Sequence, residues 1–159
     1  MKNTPKAHRN TKGMVIVYSF RFTHYFTKNK FRRIVGIPVI ILYKIIIQWF
    51  LCVDIPPSTK IGDGLEVFHG MGLVVHPDVI IGSNVVLRHN TTIGNAREGG
   101  GCPVIGDNVE IGANSVVIGE IVIGNKSVIA AGSVAVKDVP EGVIVAGNPA
   151  KIINMGNNA

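Results

Sequence analysis

The segment that decides the fold runs from Val104 to Val136 and reads VIGDNVEIGANSVVIGEIVIGNKSVIAAGSVAV. An aliphatic anchor recurs in it every six residues, at Ile105, Ile111, Val117, Ile123 and Ile129. Four residues after each anchor stands a small or aliphatic residue: Val109, Ser115, Ile121, Ser127 and Ser133. A helix repeats about every 3.6 residues, so anchors six apart would wander around its surface. The spacing instead indicates a short strand and a turn in each unit, with anchor and fifth position pointing inward.

The same period extends toward the N-terminus. Earlier anchors stand at Ile55, Ile61, Val67, Val75, Ile81, Leu87 and Ile93. A glycine often follows the anchor, and we expect it to permit a sharp corner. The glycines concerned are Gly62, Gly82, Gly94, Gly106, Gly112 and Gly124. Three units make one coil of a triangular prism, in which successive coils stack about 4.8 Å apart through parallel strand pairing. The hexapeptide period is typical of a parallel β-helix, an all-β solenoid, here of four to five coils between Ile55 and about Val136.

The period breaks twice, and functional residues favour loops held by a rigid scaffold. The step from Val67 to Val75 is eight residues and contains the stretch 68–72, FHGMG. The step from Ile93 to Ile105 is twelve and contains the loop 95–103, NAREGGGCP. No Gly-Lys-Ser or Gly-Lys-Thr follows the triple glycine, which argues against a nucleotide-hydrolase loop. The breaks are therefore the places to look for a site.

Charge divides the chain into two parts. Residues 1–53 hold ten Lys or Arg and no acid, whereas residues 54–159 hold six Lys or Arg and ten acids. We expect a basic arm and hydrophobic helix over 1–53, and a β-helix domain with a C-terminal cap over 54–159. The arm suits either a solvated tail at 1–13 or an anionic membrane surface; nucleic acid is not the expected partner. Two cysteines make no disulfide framework, so a reducing cytoplasm is the expected compartment.

The apolar run 34–53 is interrupted by Gly36, Pro38, Lys44 and Gln48, unlike a membrane-spanning helix. Lys44 and Gln48 are four apart and would form one polar stripe on a helix. Pro38 suits a first helical turn. We therefore expect a helix over Pro38–Leu51, which either packs on the body and covers its N-terminal end or flank, or lies at a membrane surface.

The residues at the first break carry a family resemblance. The stretches 53–55 (VDI), 59–62 (TKIG) and 69–72 (HGMG), with the ending 142–151 (GVIVAGNPAK), resemble the hexapeptide-repeat serine acetyltransferases over roughly Leu51–Ile153. The resemblance implies a left-handed coil, acetyl-CoA as donor and no metal. It also implies that His69 is the general base and Asp54 the carboxylate that orients it. A base is needed because an alcohol attacks a thioester poorly until its proton is removed.

Further roles follow only from that resemblance. Ala113, Ala131 and Gly132 would contact the pantetheine arm and adenine of coenzyme A. Lys137 and Lys151 would lie near its phosphates, although a solvated lysine is an equally good interpretation of each. Members of the family are trimers with sites between subunits. We therefore expect a homotrimer in which His69 faces the Asn95–Pro103 loop of a neighbour.

The departures from serine acetyltransferases concern the acceptor. An Asp precedes the family's catalytic His, where this chain has Phe68, and an Arg-His pair is replaced by Gly101 and Cys102. The residues before Asp54 are also too few for the family's helical domain. The chain more closely resembles short acetyltransferases of bacterial capsule and exopolysaccharide clusters, which implies a sugar hydroxyl as acceptor, with a membrane-associated acceptor giving the basic arm a purpose. Serine O-acetyltransfer and a non-catalytic scaffold are the alternatives.

The candidate acceptor contacts are Phe68, His89, Asn95 and Cys102. His89 could line the acceptor site, but an exposed corner histidine is the favoured interpretation. Cys102 has no base placed for it by the sequence, so a loop or acceptor contact is expected rather than a nucleophile. His76 precedes a Pro-Asp turn. His8 and His24 belong to no motif.

Overall fold

The structure, a computed structural model, describes residues 10–155. Three helices come first: α1 (Thr11–Thr27), α2 (Lys30–Val35) and α3 (Ile37–Tyr43), which continues as a π-helical segment over Lys44–Phe50. The helix predicted over Pro38–Leu51 is thus present with slightly different bounds, and Pro38 stands in its first turn. Helix α1 was not predicted. It begins inside the expected tail, where Asn10 accepts a hydrogen bond from the backbone of Gly13 at 3.0 Å; His8 lies outside the described residues.

Short strands follow the helices. Within the described residues they are β1 (Val53–Asp54), β2 (Lys60–Ile61), β3 (Glu66–Phe68), β4 (Leu73–Val75), β5 (Ile80–Ile81), β6 (Val86–Arg88), β7 (Thr92–Gly94), β8 (Val104–Ile105), β9 (Glu110–Ile111), β10 (Val116–Ile118), β11 (Val122–Ile123), β12 (Val128–Ile129), β13 (Val134–Ala135), β14 (Val143–Ala146) and β15 (Lys151–Met155).

The strands form three faces of a prism. The first face is β1-β4-β7-β10-β13, the second is β2-β5-β8-β11, and the third is β3-β6-β9-β12-β14-β15. All neighbours are parallel except β14 and β15, which pair antiparallel and close the C-terminal end. The predicted parallel β-helix of four to five coils is confirmed, and the structure has about five.

The pairing register of the strands gives the number of residues in each coil and the number that each break adds. Val116 pairs with Val134, a step of eighteen residues. Val53 pairs with Leu73, twenty residues on, because the first break adds two residues. Ile80 pairs with Val104, twenty-four residues on, because the loop 95–103 adds six. Both insertions therefore leave the ladder intact and are expelled at corners.

The core consists of the predicted inward positions. Every anchor from Ile55 to Ile129 is at most 9% exposed. Hydroxyls at the fifth positions are also buried, and several donate to carbonyls of their own or the next coil, as Ser115 does to Ala130 at 3.1 Å. Burial of aliphatic side chains stabilises the solenoid by roughly 1.5–3 kcal/mol for each fully buried one.

The expected role of the glycine after each anchor is wrong. Those glycines do not have positive φ; the left-handed residue is three places after the anchor, for example Asn108 (φ 56°) and Asn114 (φ 59°). The glycine is needed instead because stacked coils come close there. A Cβ on Gly112 would lie 2.4 Å from the backbone nitrogen of Ala131 in the next coil.

The N-terminal end is covered by α1. Ile16 and Phe20 are fully buried, and the side-chain amide of Asn10 donates to the carbonyl of Val67. Helix α3 flanks β1 instead, where the Tyr43 hydroxyl donates to the Ile55 carbonyl at 2.8 Å. The helix predicted over Pro38–Leu51 was expected to cover the N-terminal end or the flank of the solenoid. The end is covered mostly by α1, because α1 presents the apolar face that fits the first coil.

We expect Gly112→Ala to lower the free energy of unfolding by about 1–3 kcal/mol, since the added methyl forces two stacked backbones apart. Urea unfolding followed by circular dichroism measures this. Asn108→Gly is the control, because glycine accepts the left-handed corner and should change stability by less than about 1 kcal/mol. Equal stability of Gly112→Ala and the wild type would contradict close approach as the reason for the glycine.

Candidate active site

Four turns line up along the edge where the third face meets the first. They follow β3, β6, β9 and β12, and backbone hydrogen bonds tie each to the next. Asn90 donates to the Met71 carbonyl at 2.8 Å, Asn114 to His89 at 3.1 Å, and Gly132 to Ala113 at 2.8 Å. We call this line of turns the His69 edge, since His69 stands in the first of them.

His69 is exposed and held in a left-handed conformation, with φ 66°. Gly70, the next residue, is also left-handed and is buried against Ile16 of α1 and Val67. A non-glycine residue in this region is uncommon and marks a constrained turn. The two inserted residues therefore present an imidazole at the surface of the first coil.

His89 lies beside His69, one coil further on. The two rings meet edge to face, with centroids 5.8 Å apart and planes at 78°. The Nδ1 atom of His89 is buried and has no hydrogen-bond partner within residues 10–155. His89 is thus a half-buried neighbour of His69 rather than a free corner residue.

Asp54 lies on β1 and is exposed, but its partner is a glutamine. Gln48 Nε2 donates to Asp54 Oδ1 at 2.7 Å. Among the described residues no hydrogen bond or ion pair joins Asp54 to His69. The pKa of the Tyr43 phenol is raised, mainly because Tyr43 is buried and secondarily because the Asp54 carboxylate lies nearby. Asp54 and His69 are therefore not joined to each other in this single chain.

Phe68, immediately before His69, packs under a cation. The Arg88 guanidinium carbon lies 5.2 Å from the centre of the Phe68 ring. Arg88 Nη2 also donates to Glu110 Oε1 at 2.6 Å. The surface next to His69 is thus formed by the Phe68 ring, against which the Arg88–Glu110 ion pair lies. No carboxylate stands at position 68.

The residues assigned to coenzyme A divide by position. Ala113, Ala131 and Gly132 come together on the His69 edge, and a Cβ added at Gly132 would meet only open space. Lys151 begins β15 next to that edge, since Ala150 donates to the Val134 carbonyl at 2.8 Å. Lys137 follows β13 and stands at its other end.

A second line of turns runs along the edge between the first and second faces, which we call the loop edge. It carries His76, the loop 95–103 and Lys137. Cys102 Sγ lies 3.2 Å from His76 Nδ1, a contact that the sequence did not indicate. The pKa of the Cys102 thiol is raised, mainly by burial and secondarily by the nearby Asp78 carboxylate. Because thiolates are the reactive form, this environment does not activate Cys102.

The four candidate acceptor contacts therefore form two pairs. Phe68 and His89 flank His69, whereas Asn95 and Cys102 lie on the loop edge, across the width of the first face. Sequence reasoning missed Gln48 and Glu110 as neighbours of the site. The contact of Arg88 with Phe68 could have been predicted, because the first coil is twenty residues long and places Phe68 directly over Arg88. Within residues 10–155 no group of His, Cys, Asp and Glu side chains could hold a metal ion.

Comparison with known proteins identifies the group to which this solenoid is related. Residues 102–135 match the family described as "Bacterial transferase hexapeptide (six repeats)". WcaB of Escherichia coli (strain K12), whose name assigns it to colanic acid biosynthesis as an acetyltransferase, is 33% identical over 142 residues, which are 86% of this chain and 88% of WcaB. The chain belongs to the bacterial hexapeptide-repeat transferase family. It is an acyltransferase, and acetyl-CoA is the donor that acetyltransferases of this family use.

Solved relatives extend the likeness to three dimensions. Serine acetyltransferase from Brucella abortus strain S19 superposes with a TM-score of 0.79 at 35% identity, covering 93% of this chain and 59% of that one. The same enzyme has been solved in complex with coenzyme A, with a TM-score of 0.79 at 35% identity over 92% of this chain and 57% of that one. Serine acetyltransferase 2 of Arabidopsis thaliana is 40% identical over 105 residues, 65% of this chain and 32% of the relative. The chain therefore spans less than two thirds of the length of these serine acetyltransferases. Together the comparisons confirm the predicted family, fold and enzyme class.

Proposed function

We propose that this chain is an acetyl-CoA-dependent O-acetyltransferase that acetylates a sugar hydroxyl in capsule or exopolysaccharide biosynthesis, with His69 as general base. The observation that carries the proposal is the His69 edge. One line of turns holds an exposed imidazole in a constrained conformation and, further along, the Ala113–Gly132 turns assigned to coenzyme A. Donor and base thus share one continuous surface.

The proposed chemistry is a direct transfer. An imidazole nitrogen of His69 accepts the proton of the acceptor hydroxyl as its oxygen attacks the thioester carbonyl carbon. The carbon–sulfur bond then breaks, and the coenzyme A sulfur takes up the proton and leaves as the thiol. Phe68 is proposed to limit the access of water beside His69, which suits a reaction in which hydrolysis competes.

Asp54 is proposed to orient His69 and to stabilise the imidazolium that forms during transfer. Its carboxylate is exposed and held by a single bond from Gln48. A change of the Gln48 rotamer would free the carboxylate to accept from the imidazole. On this proposal Gln48 holds Asp54 when no substrate is bound.

The acceptor is proposed to be a sugar because the amino-acid-binding groups are replaced. Phe68, Gly101 and Cys102 offer neither a carboxylate for an ammonium group nor a cation for a carboxylate. WcaB, which this chain matches over most of both lengths, is named for colanic acid biosynthesis. Serine O-acetyltransfer is the second candidate, favoured by the superposition on serine acetyltransferases.

We also propose a homotrimer whose sites lie between subunits. In one chain Asn95 and Cys102 are a full face away from His69, so the four acceptor contacts meet only if the loop edge of one chain faces the His69 edge of another. The reaction is proposed to occur in the cytoplasm at the inner face of the cell membrane, because the basic arm suits an anionic surface. Lys137, on the loop edge, would then reach the coenzyme phosphates from the neighbour.

We expect His69→Ala to lower kcat/KM by about a hundredfold or more, because the acceptor oxygen loses its base. Thiol release from acetyl-CoA, measured with a saturating acceptor, gives the rate. His24→Gln is the control: His24 lies on α1, its Nδ1 bonds the Pro57 carbonyl, and it lies away from the His69 edge. If His69→Ala keeps more than about a tenth of the wild-type rate, another group removes the proton.

We expect sugar acceptors to release thiol faster than L-serine. The panel contains free sugars, nucleotide sugars and L-serine, with the acceptor-free reaction as the baseline for hydrolysis. Product mass identifies the acetylated hydroxyl compound. Faster transfer to L-serine than to every sugar would reject the sugar proposal while leaving the acetyltransferase assignment in place.

A hybrid-subunit experiment tests the shared site. Deleting residues 96–101 removes the six extra residues and leaves an eighteen-residue coil, so the deletion variant should fold but lack the loop. We expect this variant and His69→Ala each to be inactive alone and a refolded mixture to regain activity, since one chain supplies His69 and the other the loop. Mixed trimers without activity would place the whole site in one chain.

A further inference from the structure

The outward side of the last N-terminal helix is apolar. Its exposed residues, which we call the outer stripe, are Ile41, Leu42, Ile45, Ile46, Trp49 and Phe50. Trp49 is 79% and Phe50 82% exposed. Their spacing of four and five residues follows the turn of α3 and the π-helical segment, so they lie on one side.

The pattern is the reverse of an ordinary surface helix. Such a helix turns its apolar side to the core and its polar side to water. Here only Tyr43 and Ile47 are buried against the solenoid, while the larger apolar side faces outward. A contiguous exposed patch of this kind marks an interaction surface.

Exposed cations lie on the segment that carries the outer stripe and on the helix and turn before it. Lys28, Lys30, Arg33 and Lys44 are exposed on or near the helices that carry it. Residues 1–53 contain ten Lys or Arg and no acid. The partner must therefore be apolar in its interior and anionic at its surface.

We infer that the outer stripe docks on a bilayer that contains anionic lipids. Aliphatic and aromatic side chains enter the boundary between headgroups and acyl chains, and the lysines and arginine meet the anionic headgroups. Within the described residues no helix has the length and apolarity to cross a membrane. Two copies that meet stripe to stripe fit less well, because this pairing brings like charges together and residues 1–53 contain no acid to offset them.

The docking surface adjoins the proposed active site. Gln48, whose side chain holds Asp54, directly precedes Trp49 on the same segment. The first coil, which carries His69, is also the coil nearest the helices. This inference rests on the peripheral location proposed above and specifies its surface and lipid chemistry; it predicts that the acceptor is presented at the membrane rather than from bulk solution.

Trp49 is the only tryptophan of the chain, so its fluorescence reports on the stripe directly. The intact protein is mixed with vesicles of phosphatidylcholine alone, or with about a third of the lipid replaced by phosphatidylglycerol. We expect co-sedimentation and a blue shift of Trp49 emission with the anionic vesicles, both weakened by salt. Phe50→Ser with Ile46→Ser should lower binding at least about tenfold through lost apolar insertion, and Lys28→Glu with Lys30→Glu should lower it on anionic vesicles.

Matched controls lie on the solenoid. Val122→Ser removes an exposed apolar side chain, and Lys60→Glu with Lys126→Glu reverses two exposed charges, so both should bind like the wild type. Circular dichroism verifies folding of every variant. Absence of wild-type binding to anionic vesicles overturns the inference, as does a smaller oligomer of Phe50→Ser with Ile46→Ser in sedimentation velocity, which would show a second copy on the stripe. Neither readout depends on acetyl transfer, so the enzymatic proposal stands or falls separately.

Discussion

The structure depends on the close stacking of each coil on the next. At Gly112 the approach leaves no room for a methyl group, and the parallel ladder holds the same register on all three faces. Because every coil repeats at this spacing, the turns of successive coils fall on straight edges. Side chains far apart in sequence, such as His69, His89 and Ala113, therefore become neighbours without any tertiary packing beyond the ladder itself.

A regular solenoid has no cavity of its own, so chemistry depends on the residues that the ladder expels. Two extra residues after β3 place His69 outside the coil in a left-handed turn. Six extra residues before β8 form the loop on the other edge of the same face. The ladder tolerates both, because each insertion leaves from a corner and the strands on either side keep their partners.

The period predicted the solenoid because anchor positions obey one rule along the whole chain. It also placed both breaks and, by adding one coil length, would have paired Phe68 with Arg88. Helix α1 was missed because its burial of Ile16 and Phe20 follows from the shape of the first coil, not from a strong apolar period of its own. The contacts of Gln48 with Asp54 and of Cys102 with His76 depend on how insertions fold back, which spacing alone does not specify.

The proposed functional regions follow one another along the axis of the solenoid. The cationic helices and the outer stripe lie beside the first coil, which also carries His69, and the turns assigned to coenzyme A lie two and three coils further on. Direct transfer requires donor and acceptor to be bound together, so the two must approach His69 from different sides. A membrane-held acceptor would approach from the helical end, which leaves the long edge beyond His89 free for the donor. The separation of charge along the chain, ten cations before residue 54 and an excess of acids after it, fits this division of the two substrates.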